Sequence, residues 1–198
     1  MPELPEVETV VRQLNATVKG KTIVAIDVLD RKVIQSTLPK IVPAKIINVE
    51  RRGKSIIFEL DRNRYLLAHL RMTGHFYYLS QGSKDTTYKQ YHVGTFHFQD
   101  HSFLTHNSIR RFGRITALTQ TQLNKALSTL GIEPLSKECT TQKFTSLFQS
   151  KPNANIKNCL LDQHLIAGIG NIYAQEALYR AGIHPEKKVK EISSAQLT

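Results

Sequence analysis

The sequence predicts an α+β protein, an N-terminal β-sandwich with a capping helix followed by a helical lobe. Three observations predict it. Between Thr22 and Leu118, eight short runs rich in β-branched and aromatic residues are separated by turn residues. From Thr119 on, apolar residues recur every three or four positions. Ahead of the first run, Val7, Val10, Val11 and Leu14 form an i, i+3, i+4, i+7 stripe. Strands first and helices after argue for two segregated lobes, with a boundary near residue 120 and domains of 1–120 and 121–198. No internal repeat interrupts this order.

The first helix is expected over residues 5–17. Pro5 suits a first turn, Glu6 and Glu8 favour the positive end of the helix dipole, and Gly20 follows as a stop. The strands are read at Thr22–Leu29, Ala44–Glu50, Ser55–Leu60, Tyr65–His69, His75–Leu79, His92–Phe98, Phe103–His106 and Arg114–Leu118, punctuated by Pro39, Pro43, Gly53 and Asp61-Arg62-Asn63. The polar stretch Gln81–Gln90 reads as an exposed loop. In the second lobe, Leu123, Ala126, Leu127 and Leu130 predict a helix ended by Gly131. Phe144, Leu147 and Phe148 predict another, broken at Ser150-Lys151-Pro152. Asn155–Leu161 and Asn171–Ala181 predict two more, the last closed by Gly182 and Pro185.

At 198 residues and a net charge of +11, the chain can bury a core and favours polyanionic partners, nucleic acid before membrane. No apolar run approaches the ~18 residues of a membrane span, and no signal-peptide core opens the chain. Cys139 and Cys159, 20 residues apart, form neither a zinc motif nor a disulfide framework, which fits an intracellular setting. His92, His97, His101 and His106 follow spacings of five, four and five, which match no standard ligand motif. No metal site is expected.

The most informative chemistry stands at the start, Met1-Pro2-Glu3-Leu4-Pro5-Glu6-Val7-Glu8. Once Met1 is removed, Pro2 carries a free secondary amine able to attack a sugar carbon and form an iminium ion. An α-amino group has a pKa of about 8, so much of it is neutral near physiological pH. Glu3 beside it is placed to shuttle protons. Arg51-Arg52-Gly53-Lys54 joins two expected strands, and Lys54, expected to be exposed at the turn, offers an ammonium to a phosphate. His69-Leu70-Arg71-Met72-Thr73-Gly74 and Arg110-Arg111-Phe112-Gly113 set apolar tips among arginines, the composition of a wedge that enters a base stack. Gly168-Ile169-Gly170 ahead of Asn171 puts free N–H groups at a helix start, fit for a phosphate. It does not complete Gly-x-Gly-x-x-Gly, which disfavours a dinucleotide fold.

Together these segments resemble the formamidopyrimidine-DNA glycosylase family, bifunctional repair enzymes that remove oxidised purines. Pro2–Thr9, Arg52-Gly53-Lys54, His69–Gly74, Arg110–Gly113 and Leu160–Pro185 look like family motifs in family order, covering essentially the whole chain. Leu4-Pro5-Glu6-Val7-Glu8 favours the 8-oxoguanine branch over the endonuclease VIII branch. The resemblance implies a helix-two-turn-helix second lobe, Pro2 as Schiff-base nucleophile, Glu3 as proton shuttle and Lys54 as the lysine that assists strand cleavage by β/δ-elimination. It places Glu6, His69, Lys157 and Asn171 among DNA-contacting residues, with Met72, Arg110 and Phe112 filling the gap left by a flipped nucleotide. The implied partner is damaged double-stranded DNA, bound by a monomer in a bacterial-type cytoplasm and nucleoid.

Two departures stand out. Ser108-Ile109 precedes Arg110 where the family has Asp-Pro, so a less rigid turn is expected. The family's four-cysteine zinc finger is absent from these residues, so no zinc cofactor is expected and the helical lobe reads as incomplete, with Ser193–Thr198 as a helix start. On that reading the form is a weak glycosylase whose lyase activity on abasic DNA outlasts base excision. A lesion-DNA binding protein with little or no turnover is the alternative. An RNA-binding β-domain would account for the charge but not for Pro2, Glu3 and Lys54.

Overall fold

The structure, a computed structural model, describes residues 1–83 and 89–197. Part of the expected loop Gln81–Gln90 and the terminal Thr198 therefore lie outside the described residues. The chain divides into two compact units, Met1–Ala126 and Leu127–Thr198.

The first unit opens with α1 (Leu4–Val18), which buries Leu4, Val7, Val11, Leu14 and Val18. Each such side chain contributes roughly 1.5–3 kcal/mol by leaving water. Eight antiparallel strands follow: β1 (Thr22–Val28), β2 (Ala44–Arg52), β3 (Ser55–Leu60), β4 (Arg64–His69), β5 (Gly74–Leu79), β6 (His92–Phe98), β7 (Phe103–Ser108) and β8 (Arg114–Thr119). Their order is β5-β7-β6-β1-β2-β3-β4-β8. The ladder narrows to two register pairs between β1 and β2, Thr22 with Lys45 and Ile23 with Ala44. There it turns over, and the two halves face each other across one core. Ile23, Phe96, Phe98 and Leu104 from one half meet Ile46, Phe58 and Leu66 from the other, and Phe58 packs edge-on to Phe76 with ring centroids 5.9 Å apart.

After α2 (Gln120–Leu127), the second unit holds α3 (Thr141–Gln149), α4 (Ile156–Leu161) and α5 (Asn171–Arg180). Phe148, Ile156, Leu160, Ile166, Ala174 and Leu178 belong to its own core. Thr140 caps α3 by accepting from the Lys143 N–H at 3.2 Å. Gly182, at φ +63°, ends α5: its N–H donates to the Tyr179 carbonyl and the Ile183 N–H to the Leu178 carbonyl at 2.9 Å.

The helix expected to run from Leu123 to Gly131 is corrected. α2 stops at Leu127, buries only Leu123 of its expected stripe, and leaves Ala126 exposed. Gly131 is not a helix cap. Its N–H donates to the Gln163 carbonyl at 2.8 Å, and a Cβ there would stand 2.3 Å from Leu165 backbone. The glycine serves close approach to the turn at residues 163–165. Among the described residues, no helix is long and apolar enough to cross a membrane.

Candidate active site and nucleic-acid interface

Strand register gathers the expected site at one end of the sandwich. Ser55 pairs with His69, His69 with Arg114, and Gly74 with Ser108. The Gly53-Lys54 turn, the loop 70–73 and the loop 109–113 therefore leave the strands together. Gly53 takes φ +58°, the positive value that the first central residue of a two-residue hairpin needs.

The start of α1 is tied to this end. Arg51 Nε donates to Glu8 Oε2 at 3.0 Å, and Arg51 Nη1 to the Gly53 carbonyl at 3.0 Å. Glu6 Oε2 accepts from the Glu3 N–H at 2.8 Å, which fixes the peptide joining Pro2 to the helix. Pro2 is half-buried, Met1 exposed and Glu3 buried.

Lys54 corrects the expectation of an exposed turn lysine, for it is only 9 % exposed. Burial pushes its pKa below the usual lysine value; Glu3, close enough to act on it, pulls the other way, and Arg71 adds to the depression. His69 is pushed down to about 4, first by burial, then by the charges of Arg71 and Lys54. Its Nδ1 accepts from the Arg71 N–H at 3.1 Å, which leaves the proton of the neutral ring on Nε2 as a donor. Glu3, Lys54, His69 and Arg71 thus form one electrostatic cluster.

Met72, Arg110 and Phe112 are brought together on the two loops. Arg110 Nη1 lies 2.8 Å from Met72 Sδ, and its guanidinium carbon 5.8 Å from the Phe112 ring centroid. Met72 is 49 % exposed and Phe112 62 %. Arg71 and Arg111 adopt φ +55° and +53°, a conformation rare for such side chains that recurs at binding sites.

The looseness expected from Ser108-Ile109 is also corrected. Ser108 Oγ accepts from the Arg111 N–H at 3.0 Å, and Thr73 Oγ1 from the Arg110 N–H at 2.9 Å. Two hydroxyls clamp the turn from both sides. Glycine lets the loop 70–73 close on itself, since the Gly74 N–H donates to the Leu70 carbonyl at 3.1 Å and a Cβ there would sit 2.5 Å from that oxygen.

Lys157 and Asn171 lie in the helical unit, Lys157 half-buried in the first turn of α4 and Asn171 exposed at the first position of α5. The loop before α5 is organised by Gln163, whose role the sequence did not reveal. Its Nε2 donates to the Leu161 and Ile169 carbonyls at 2.9 and 2.8 Å, and its Oε1 accepts from the Gly168 N–H at 3.0 Å. Only the glutamine's own Gly-rich neighbourhood hinted at it.

Among the described residues, no three acidic, histidine or cysteine side chains converge to hold a metal ion. Cys139 and Cys159 are free thiols, and a zinc site of the family type does not fit the residues present. His106 instead stacks on Phe76 at 4.7 Å and bonds through Nδ1 to the His75 carbonyl, while His92 meets Thr95 at 2.8 Å.

Known proteins share this fold. Residues 1–115 match the model of the formamidopyrimidine-DNA glycosylase N-terminal domain, and residues 130–198 that of the formamidopyrimidine-DNA glycosylase H2TH domain. The formamidopyrimidine-DNA glycosylase of Exiguobacterium sp. is 40% identical, over 100% of this chain and 73% of its own length. That of Lactiplantibacillus plantarum is 37% identical, over 100% and 73%. The Lactococcus lactis Fpg in complex with abasic-site DNA superimposes with a TM-score of 0.88 at 31% identity, over 98% of this chain and 72% of that one. A mutant of the same protein, solved with a Fapy-dG containing DNA, gives 0.89 at 31% identity, over 99% and 73%.

Proposed function

The chain belongs to the formamidopyrimidine-DNA glycosylase family, and from that membership we propose that it excises oxidised purines, 8-oxoguanine and formamidopyrimidines, from duplex DNA and then cleaves the abasic strand, acting as a monomer. One observation carries this reading: Glu3, Lys54 and His69 cluster at the same end of the sandwich as an exposed Met72–Arg110–Phe112 wedge.

Removal of Met1 frees the Pro2 amine. Its lone pair bonds to C1′ of the flipped nucleotide as the C1′–N9 bond breaks, and those electrons leave with the base, which takes up a proton. Opening of the sugar gives the iminium ion at C1′. Loss of a C2′ proton then breaks the C3′–O3′ bond, and a second elimination breaks C5′–O5′. Glu3 moves the proton at the sugar. Burial raises the neutral fraction of Lys54, so its amine can accept a proton and its ammonium can steady a departing phosphate. His69 Nε2–H donates to a flanking phosphate, and Lys157 and Asn171 hold phosphates from the helical unit. Met72 and Phe112 fill the vacated stack while Arg110 meets the widowed base. Glu6 acts through the Glu3 peptide that it holds.

Single-turnover assays on an 8-oxoguanine duplex and an abasic duplex test the reading. Release of the base followed by strand cleavage is expected. A chain that binds both duplexes tightly yet leaves them intact is a lesion-binding protein instead.

A further inference from the structure

Beside the wedge runs a segment that none of these roles uses. Asp30, Arg31 and Lys32 follow β1 and are laced to the loop 109–113 and the strand after it. Arg111 Nη1 reaches Asp30 Oδ2 at 3.3 Å, and the Asp30 side chain is only 11% exposed. The Lys32 N–H donates to Asp30 Oδ1 at 2.8 Å. The Val33 and Ile34 N–H groups donate to the Asp30 carbonyl, the Ile115 N–H donates to the Val33 carbonyl at 2.7 Å, and the Gln35 N–H to the Ile115 carbonyl at 3.0 Å. Gln35 Oε1 accepts from the Ala117 N–H at 3.0 Å. The segment is therefore a built strap.

Its charges divide unequally. Asp30 is taken up by Arg111, whereas Arg31 and Lys32 are both exposed, so the strap and its partner carry two uncompensated positive charges. Arg31 is one residue, about 3.8 Å of backbone, from the aspartate that Arg111 holds, and Arg111 follows the wedge arginine directly. Phosphates of one DNA strand recur every ~3.4 Å along the helix axis, so a backbone running from the wedge toward the strap would offer it phosphates.

We propose that Arg31 and Lys32 form an additional phosphate-contacting arm of the duplex interface, held in place by the Asp30–Arg111 ion pair. The inference rests on the reading that this end of the sandwich receives DNA. The pair reads no base; it adds sequence-independent affinity and salt dependence. Asp30 is a positioning residue, acting through Arg111 and through the Lys32 amide.

The test uses the full chain and a duplex carrying a tetrahydrofuran abasic analogue, with Kd measured across a salt series. Each phosphate contact adds roughly 0.9 to the slope of log K against log salt. Arg31→Gln with Lys32→Gln should lower that slope by about one to two and weaken binding roughly tenfold at low salt. Arg31→Lys with Lys32→Arg should keep it. An unchanged slope in the Gln pair, with an unchanged melting temperature, overturns the arm while leaving the wedge reading intact. A slope lost equally in the charge-retaining pair also overturns it, since charge would then be irrelevant. Wild-type chain that fails to bind the duplex overturns the reading of this end as a DNA site, and the arm with it.

Discussion

Arg110 Nη1 lies 2.8 Å from the sulfur of Met72, 38 positions away in sequence and on the other loop. The contact holds the arginine beside an exposed apolar tip in the absence of DNA. A guanidinium so placed is ready to meet a base edge without first being ordered. Arg110→Ala should therefore weaken discrimination for the base opposite the lesion by about 1–3 kcal/mol. Excision rates on duplexes differing only in that base measure it. Equal losses on every duplex would show a plain phosphate contact.

Lys54 joins a structural cost to the chemical role proposed for it. It is an ammonium held where burial disfavours charge. Lys54→Met should hold or raise the melting temperature at neutral pH while strand cleavage falls by two or more orders of magnitude, roughly what loss of acid–base help costs. Because the folded pKa lies below the unfolded one, the unfolded chain binds the extra proton between them. Stability from this group accordingly rises with pH through that interval, and the Met variant should lose that rise. A large fall in melting temperature with cleavage intact would make Lys54 a structural residue.

His69 and His106 are both held at about 4, His106 chiefly by burial. The unfolded chain takes up protons on them from pH 6.5 downward, whereas the folded chain does not until pH nears 4. Stability should be level above 6.5 with respect to these groups and fall between 6.5 and 4, by up to about 1.4 kcal/mol per pH unit for each imidazole. Urea midpoints at pH 7.5, 6 and 5 check this. Identical midpoints at 7.5 and 5 would contradict the buried neutral state.

Gly74 lets the loop 70–73 close on itself. Gly74→Ala would press a methyl to 2.5 Å from the Leu70 carbonyl oxygen, a backbone atom that cannot swing away. A loss of about 1–3 kcal/mol is expected. Gly20→Ala meets nothing within 4 Å and carries only the strain of φ +83°, about 1 kcal/mol. Thermal unfolding of the two variants should rank Gly74→Ala as the more damaging, and the reverse order would contradict the close approach.

Much of this architecture was legible in the residues. Ser55–Leu60 and His92–Phe98 coincide with their strands, because β-branched and aromatic runs between turn residues have few other uses. Leu127, Leu130 and Gly131 misled, since a helical stripe and a stop glycine look the same whether the glycine caps a helix or admits the backbone of a neighbouring turn. That Pro2, Lys54 and Arg110 serve one site was implied by the family resemblance, not by composition or periodicity. What the sequence hid was long-range: the burial of Lys54, the Ser108 and Thr73 clamps, and the Gln163 bracket depend on partners that only the folded register supplies.

The proposed chemistry stands or falls on the Pro2 amine as nucleophile. Borohydride reduction during reaction with an abasic duplex converts an iminium ion into a stable covalent adduct, and peptide mass spectrometry locates it. An adduct on Pro2 is expected in chain freed of Met1, and none in chain that retains Met1, whose Pro2 nitrogen is an amide. An adduct on a lysine such as Lys54, or equal trapping with Met1 in place, would contradict it.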